Sequence, residues 1–421
     1  MVIKELDMIV FGATSFVGQI ICRYLLEEHT EPNFTWAMAA RSQDKLEQLR
    51  AELGEKSVSI PVVIADSFDD AALMAMCERT EVIISTVGPY AIYGEALVKA
   101  CVNTGTDYCD ITGESQWMKR MISRYSEQAK TSGARIVHCC GFDSLPSDLG
   151  VKFLQEQAQE KFGVYCSEVK MRVKVMKGTF SGGTVASGVN AFKEAAKDPE
   201  VRAEMRDWYS LCPEGHNNSA RQRAIGMEYD EDFSSWVGPF IMAAVNSRVV
   251  LRSNALLRER YGNEFRYDEG TLAGDGDKGR KLAKRMKSGG RLFGLVLAVP
   301  PLRWFALKFF LPKPGEGPSF KEQQEGFYDL RFFGKTDVGD EIRVKVTGDR
   351  DPGYGSTAKM LSQAAISLHR DVDKNEVPGG FWTPGSTFNE ALYQRLSSYA
   401  GLSFEVLEDE AAKEAAAQPG D

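Results

Sequence analysis

Along the first 150 residues the apolar positions fall into short solid runs, separated by stretches in which they recur every three to four residues. The runs Met8–Phe11, Thr35–Ala40, Ser59–Ala65, Glu81–Thr86 and Ala134–Cys140 are strand-length and dominated by apolar residues. Strands of a parallel sheet, buried on both faces, read this way. Between the first two, Phe16, Val17, Ile20, Ile21, Tyr24 and Leu25 recur at helical spacing, and helices are also predicted over 44–53, 69–77, 95–104 and 115–132. Asp107–Glu114 reads as a further strand ending in a polar cluster. The alternation predicts a doubly wound parallel α/β unit over residues 1–150, with Ser147 or Asp148 placed to start the next helix.

Beyond it the texture changes. Apolar and polar residues alternate over Tyr165–Met176, as in an antiparallel strand with one wet face, and Phe327–Phe333 and Glu341–Thr347 read as strands of the same kind. The glycine-rich stretch 180–188 reads as a turn into a helix at Val189–Ala196. Residues 151–350 are therefore expected to form a second, α+β domain for substrate binding or dimerisation. An amphipathic helix over Thr357–Arg370 and another near Phe388–Ala400 make 351–405 a pair of C-terminal helices that pack back on the first unit, and 406–421 is an acidic tail expected to fray. Within the second domain, 292–311 is the most hydrophobic stretch. Pro300, Pro301, Arg303 and Lys308 interrupt it before the roughly 20 apolar residues a bilayer span needs. With Lys284, Arg285, Lys287 and Arg291 before it, the segment fits a peripheral membrane surface. A buried hairpin, the wall of a substrate tunnel and a homodimer interface are the alternatives.

The junction between the first run and the first helix carries chemistry. Gly12 allows a tight turn, Gly18 lets the helix approach the strand, and the first N–H groups of the helix face an anion. Gly12, Thr14, Ser15, Phe16 and Val17 are thus expected to hold a dinucleotide pyrophosphate in a Rossmann-type unit. Ser15 stands where the usual fingerprint has its middle glycine. At the end of the second strand Arg41 and Ser42 stand where a selector of NAD would be acidic, so the expected cofactor is NADP(H), with NAD(H) the alternative. Asp66 and Ser67 close the third strand beside the adenine position, and Val87, Gly88, Pro89 and Tyr90 close the fourth, where backbone passes near the ribose or nicotinamide.

A formal net charge of −8 and a pI near 5.4 argue against nucleic acid as a partner. The eight cysteines show no metal-binding spacing, so no metal site is expected and a reducing, cytoplasmic setting fits, membrane-associated if 292–311 lies on a bilayer. No secretory leader pattern opens the chain.

The motifs Gly-Ala-Thr-Ser-Phe-Val-Gly (12–18), Val-Gly-Pro-Tyr (87–90), Tyr-Cys-Asp-Ile-Thr-Gly-Glu (108–114), Gly-Phe-Asp-Ser-Leu-Pro-Ser-Asp (141–148), Ser-Gly-Gly-Thr (181–184), Pro-Gly-Glu-Gly-Pro-Ser (314–319), Asp-Pro-Gly-Tyr-Gly (351–355) and Trp-Thr-Pro (382–384) occur in this order. Together they resemble the saccharopine dehydrogenase-like oxidoreductases, and in particular the trans-acting enoyl reductase branch. The resemblance implies an NAD(P)-dependent enzyme that reduces enoyl thioesters of lipid or polyketide type on a chain carried by a separate synthase. Ser15 departs from the family's glycine, which implies altered phosphate contacts. Reduction of imines, as in other family members, and a non-catalytic, lipid-associated nucleotide-binding scaffold remain as alternatives. Tyr108 and Asp110 are the candidate catalytic residues, with Tyr90, Tyr93, Glu114 and Asp143 as further titratable groups at strand ends. His138, within an apolar run, reads as a packed histidine.

Overall fold

The short apolar runs become the inner strands of one sheet and the alternating runs the strands of another. The computed structural model describes residues 4–28, 32–178, 182–310 and 317–407. Among these the first sheet contains β1 (Leu6–Phe11), β2 (Trp36–Ala40), β3 (Val62–Ile64), β4 (Thr80–Ser85), β5 (Asp107–Asp110) and β6 (Arg135–Val137). The second contains β7 (Glu168–Lys177), β8 (Glu228–Asp230), β9 (Ser235–Pro239), β10 (Arg266–Gly274), β11 (Phe327–Lys335) and β12 (Glu341–Gly348). The last two strands divide between the sheets: β13 (Gly380–Trp382) joins β6, and β14 (Leu402–Leu407) joins β12.

The first sheet is parallel throughout, in the order β13-β6-β5-β4-β1-β2-β3, a doubly wound Rossmann arrangement with one strand added at its far edge. Its topological switch point lies between β1 and β4, and the carboxyl ends there form the crevice where such sheets take ligands. The second sheet runs β14-β12-β11-β7-β10-β9-β8 and is mixed, because β10 lies parallel to β7 while the other pairs are antiparallel. The expectation for β7 was antiparallel pairing alone. The helix Ala243–Leu256 carries the chain across before β10, and alternation in β7 holds no trace of that crossover.

Three local expectations change. The helix Thr357–Arg370 is not amphipathic in place: every residue from Thr357 to Leu368 is buried, because the helix lies between β4, β5 and the helix Phe16–Glu27 on one side and the helix Glu390–Tyr399 on the other. Helix Gly182–Lys197 starts seven residues before Val189, so Gly182 and Gly183 are helical. The helix after β6 starts at Leu145, which puts Ser147 and Asp148 inside its buried first turn. The glycine-rich stretch before 182, the proline-rich loop over 311–316 and the tail from 408 lie outside the described residues.

One buried ion pair ties the late helix to the early sheet. Arg135 of β6 and Asp107 of β5 are about 1% and 2% exposed, and the Arg135 Nη2 lies 2.5 Å and its Nε 3.0 Å from Asp107 Oδ2. The Arg135 backbone N–H donates to Asp107 Oδ1 at 2.9 Å, so that carboxylate is held on both oxygens. The rest of the guanidinium donates to the carbonyls of Leu368 (2.6 Å) and Val372 (2.7 Å), at the C-terminal end of helix Thr357–Arg370, where a cation offsets the helix dipole. Further contacts along the same helix join Gln363 Nε2 to the Tyr24 hydroxyl at 2.7 Å and His369 Nε2 to Asp7 Oδ1 at 2.8 Å.

A second buried network joins the helices Leu145–Phe162 and Ala243–Leu256 to β10. The Asn246 amide donates to Ser147 Oγ at 3.2 Å and to Glu269 Oε2 at 3.0 Å, and the Tyr267 hydroxyl donates to Glu269 Oε1 at 2.7 Å. Asp148 accepts from the Ser253 hydroxyl (2.8 Å) and the Gly385 N–H (2.7 Å). Burial pushes both carboxyls up to about 7.

Removing Arg135 leaves the buried Asp107 with only the half-exposed Lys374 at 3.6 Å as a cation and uncaps the carbonyls of Leu368 and Val372, so Arg135→Ala is expected to cost about 3 kcal/mol in urea denaturation. Glu269 has the opposite sign of pH dependence from an ordinary salt-bridged carboxylate. Its folded-state affinity for a proton exceeds the unfolded one, so its contribution is full below the ordinary carboxyl range and is lost as pH rises through about 7. Melting curves between pH 5 and 8 should therefore show a steeper loss of stability toward high pH for the native chain than for Glu269→Gln.

Candidate cofactor and active site

At the end of β1 the backbone turns sharply because Gly12 has a φ of +88°, and a Cβ there would come within 2.6 Å of Thr86 Oγ1 and 2.7 Å of Val87 Cγ2. A Cβ on Gly18 would lie 2.1 Å from the Gly12 carbonyl oxygen. Neither position accepts a side chain, which is how strand and helix come close enough for the first N–H groups, those of Phe16 and Val17, to face the crevice without an intrahelical partner. Ser15 caps the helix: its Oγ accepts from the Gly18 N–H at 3.0 Å and lies 2.9 Å from Thr86 Oγ1, which reaches the Gly12 carbonyl at 3.0 Å. The hydroxyl that replaces the middle glycine thus ties β1 to β4 and braces the turn. Thr14 is partly exposed beside it, and the Phe16 ring is covered edge-on by Tyr354 at 4.7 Å.

The neighbouring strand ends bring the other expected cofactor residues to the same edge. Arg41, at the end of β2, is exposed and makes no ion pair among the described residues. Ser42 next to it accepts the Lys45 N–H at 3.4 Å and opens the helix Gln43–Leu53. At the end of β3, Asp66 Oδ1 accepts the Phe68 N–H at 2.9 Å, and Ser67 is partly exposed. Phe68, not singled out from the sequence, is 70% exposed and stands edge-on to Tyr93 at 5.6 Å, offering an aromatic face at the edge where an adenine would lie. Its only sequence signal was an aromatic residue in a polar turn.

Val87, Gly88 and Pro89 carry β4 into the short helix Tyr90–Tyr93. Tyr90 is not free to face a ligand: its hydroxyl donates to the Ser85 carbonyl at 2.9 Å and its ring packs on Trp117. Glu114 anchors this corner. Its carboxylate accepts the N–H groups of Tyr90 (2.8 Å) and Ala91 (3.0 Å) and the Ser187 hydroxyl (2.7 Å), linking the ends of β4 and β5 to the helix Gly182–Lys197. Burial raises its proton affinity against those three donors.

The ends of β5 and β6 separate the carboxylates that look alike in sequence. Tyr108 is wholly buried within β5, its ring edge-on to His138, and burial pushes the phenol well above its ordinary range. Asp110 is wholly buried too. It accepts from the N–H groups of Thr112 and Cys139, each at 3.1 Å, and its Oδ2 lies 2.7 Å from His138 Nδ1. Both side chains of the two residues expected to be catalytic are therefore shut in, Tyr108 and Asp110 each being 0% exposed. Cys139 sits in the left-handed region with φ +63°, a conformation that costs about 1–3 kcal/mol for such a residue and that the Asp110 contact holds. That turn presents Asp143, the one carboxylate of the group that is partly exposed and has no hydrogen bond or ion pair among the described residues. Asp143 Oδ2 stands 3.5 Å from where a Gly113 Cβ would be, with the Met242 methyl 3.8 Å from the same point, and burial alone pushes the carboxyl up to about 6.

Residues 8–137 match the family model described as the saccharopine dehydrogenase NADP binding domain. A Mycobacterium tuberculosis protein whose name places it provisionally among trans-acting enoyl reductases is 36% identical over 418 residues, 96% of this chain and 97% of its own length. The trans-acting enoyl reductase of Mycobacterium bovis is 34% identical over 419 residues, 93% and 96% of the two chains. Among solved structures, the saccharopine dehydrogenase (L-Glu forming) of Saccharomyces cerevisiae superimposes with a TM-score of 0.54 over 96% of this chain and all of that one, at 12% identity. That likeness is one of fold, and it extends through the second sheet.

The cofactor is accordingly NADP(H), and the residues present suit it: unpaired helix N–H groups for the pyrophosphate and an uncommitted guanidinium at the end of β2. A charge-assisted contact is worth roughly 1.5–3 kcal/mol, so Arg41→Ala is expected to weaken NADPH binding about 10- to 100-fold in a fluorescence titration and to leave NADH binding unchanged. Equal weakening of both would remove Arg41 as the selector.

Proposed function

Since this chain belongs to the saccharopine dehydrogenase-like oxidoreductases, in their trans-acting enoyl reductase branch, we propose that it reduces the carbon–carbon double bond of an enoyl thioester with NADPH. The acyl chain is apolar and is presented on a separate carrier. Support comes from the full-length similarity to proteins named for that activity and from a lone carboxyl suited to deliver a proton.

NADPH held at the Phe16 and Val17 N–H groups and Arg41 would supply a hydride for the β-carbon of the substrate. What the chain itself must supply is a proton for the α-carbon. Asp143 is our candidate donor. A carboxyl held near 6 is protonated often enough at neutral pH to act as an acid and is re-protonated from water after each turnover. Among the described residues no cation lies against it to fix the charged form. Glu114 and Asp110 position the loops around it: Glu114 holds the β4 loop against the β5 loop, and Asp110 sets the turn from which Asp143 projects.

NADPH oxidation should be followed at 340 nm with enoyl thioesters of increasing chain length. Asp143→Asn is expected to lower kcat about 10²- to 10⁴-fold while leaving the Kd for NADPH unchanged. In the native chain kcat/KM should fall as pH rises through about 6, because the acid form is lost, and the variant should lack that limb. Undiminished turnover by Asp143→Asn, with the same pH profile, would exclude Asp143 as the acid. Tight NADPH binding without turnover of any enoyl thioester would exclude the activity.

A further inference from the structure

The stretch that looked too interrupted to span a bilayer is a helical hairpin. Helix Gly276–Ala298 runs up to Val299, and helix Pro300–Phe309 folds back from it, its two prolines taking the first positions, where no N–H is required. Arg303 donates to the Leu297 carbonyl at 2.9 Å and closes the bend. The first half of the long helix packs on β9 and β10, where Met286 lies so close over Gly238 that a Cβ there would be 2.7 Å from its sulfur. The second half is held to the body through Phe293 and Leu297, against Val185 and Val189 of the helix Gly182–Lys197.

The remaining apolar surface of the hairpin faces outward. Leu292, Leu295, Trp304, Phe305, Phe309 and Phe310 are each between 51% and 75% exposed. Single exposed apolar residues are ordinary, but six large ones on two adjacent helices form a patch that calls for a partner. The charge around it is as unbalanced as the hydrophobicity. Residues 276–310 contain nine lysines and arginines against one acidic residue, Asp277, in a chain whose net charge is −8. Lys278, Lys281, Lys284, Arg285, Arg291 and Lys308 are all exposed. The Lys308 ammonium lies over the Trp304 ring at 4.8 Å and over the Phe309 ring at 5.3 Å, so the positive charge and the aromatic surface are adjacent.

We propose that this hairpin seats the protein on the surface of an anionic lipid bilayer, with its aromatic and leucine side chains in the headgroup boundary and its lysines and arginines on the lipid phosphates. No helix among the described residues is long and apolar enough to cross a membrane, so the mode is interfacial. A second copy of the chain is a poor occupant, because a two-fold contact would set the two basic flanks against each other. The anionic surface answers both the charge and the greasy patch. The hairpin stands one helix away from the candidate site, since helix Gly182–Lys197 touches Leu297 with one part and donates from Ser187 to Glu114 with another.

The test is sedimentation of the full chain, loaded with NADPH, with vesicles of phosphatidylcholine alone or with about one-third phosphatidylglycerol. Binding to the anionic vesicles at least about tenfold tighter than to the neutral ones is expected, weakening as salt is raised, with a blue shift of tryptophan emission that Trp304→Phe removes. Lys284→Glu with Arg285→Glu should lower the affinity at least about tenfold, and Trp304→Glu with Phe305→Glu should abolish binding. Both variants should keep native melting temperatures and NADPH binding, which makes loss of fold distinguishable from loss of docking. Failure to bind either vesicle would overturn the proposal, as would undiminished binding by the charge-reversed variant. A dimer in light scattering that the aromatic variant dissolves and vesicles do not compete away would assign the patch to self-association instead. None of these readouts depends on turnover, so a failed enoyl reductase assay leaves this result standing.

Discussion

The Arg135–Asp107 pair is the point at which the early and late parts of the chain become one structure. Two charges taken out of water are costly, and their attraction offsets that cost only when every remaining donor and acceptor is met. Here the unmet donors of Arg135 find the last carbonyls of helix Thr357–Arg370, and Asp107 is held by backbone as well as side chain. The helix so fixed covers β4 and β5, and β13 extends the sheet beyond β6. The crevice at the carboxyl ends therefore has walls drawn from both ends of the sequence.

Within that crevice, polar groups that look alike do different work because of what surrounds them. Ser15 and Glu114 spend their acceptors on neighbouring strands and helices and hold the turns in register. Asp110 stabilises a left-handed cysteine. Asp143, on the turn so formed, has no hydrogen bond among the described residues, and its raised proton affinity follows from burial. The neighbouring Glu114 and Asp110 are tied into the surrounding turns, and Asp143 is the carboxyl of the three that is left without such a tie among the described residues.

The parallel sheet was legible because period and run length are local properties: β1 through β6 and the helices Glu95–Thr104 and Ser115–Ser132 follow from apolar spacing and glycine or polar stops. The strand ends on which the expected cofactor residues stand were legible for the same reason, as each follows immediately on an apolar run. The strands β8, β9, β10, β13 and β14 were not seen. Two of them, β8 and β13, are only three residues long and acquire their identity from the neighbour they pair with. The buried face of helix Thr357–Arg370 was hidden too, because Ser362, Gln363 and Ser367 read as a wet stripe until Tyr24 and the strands are brought against them. Tyr108, Asp110 and Asp143 all lie in or near predicted strand ends, which does not tell them apart; only the tertiary neighbours decide which side chain is shut in and which is open.

The added edge strand and the covering helix have a consequence for how the polypeptide is made. Residues 8–137 correspond to a recognised domain, yet one face of β4 and β5 stays bare until Thr357–Arg370 has left the ribosome. Until that helix is available the apolar strands it covers have no partner on that face, the kind of surface that makes partly folded chains prone to association. A chain cut before Thr357 therefore leaves that apolar face of the first sheet open to solvent.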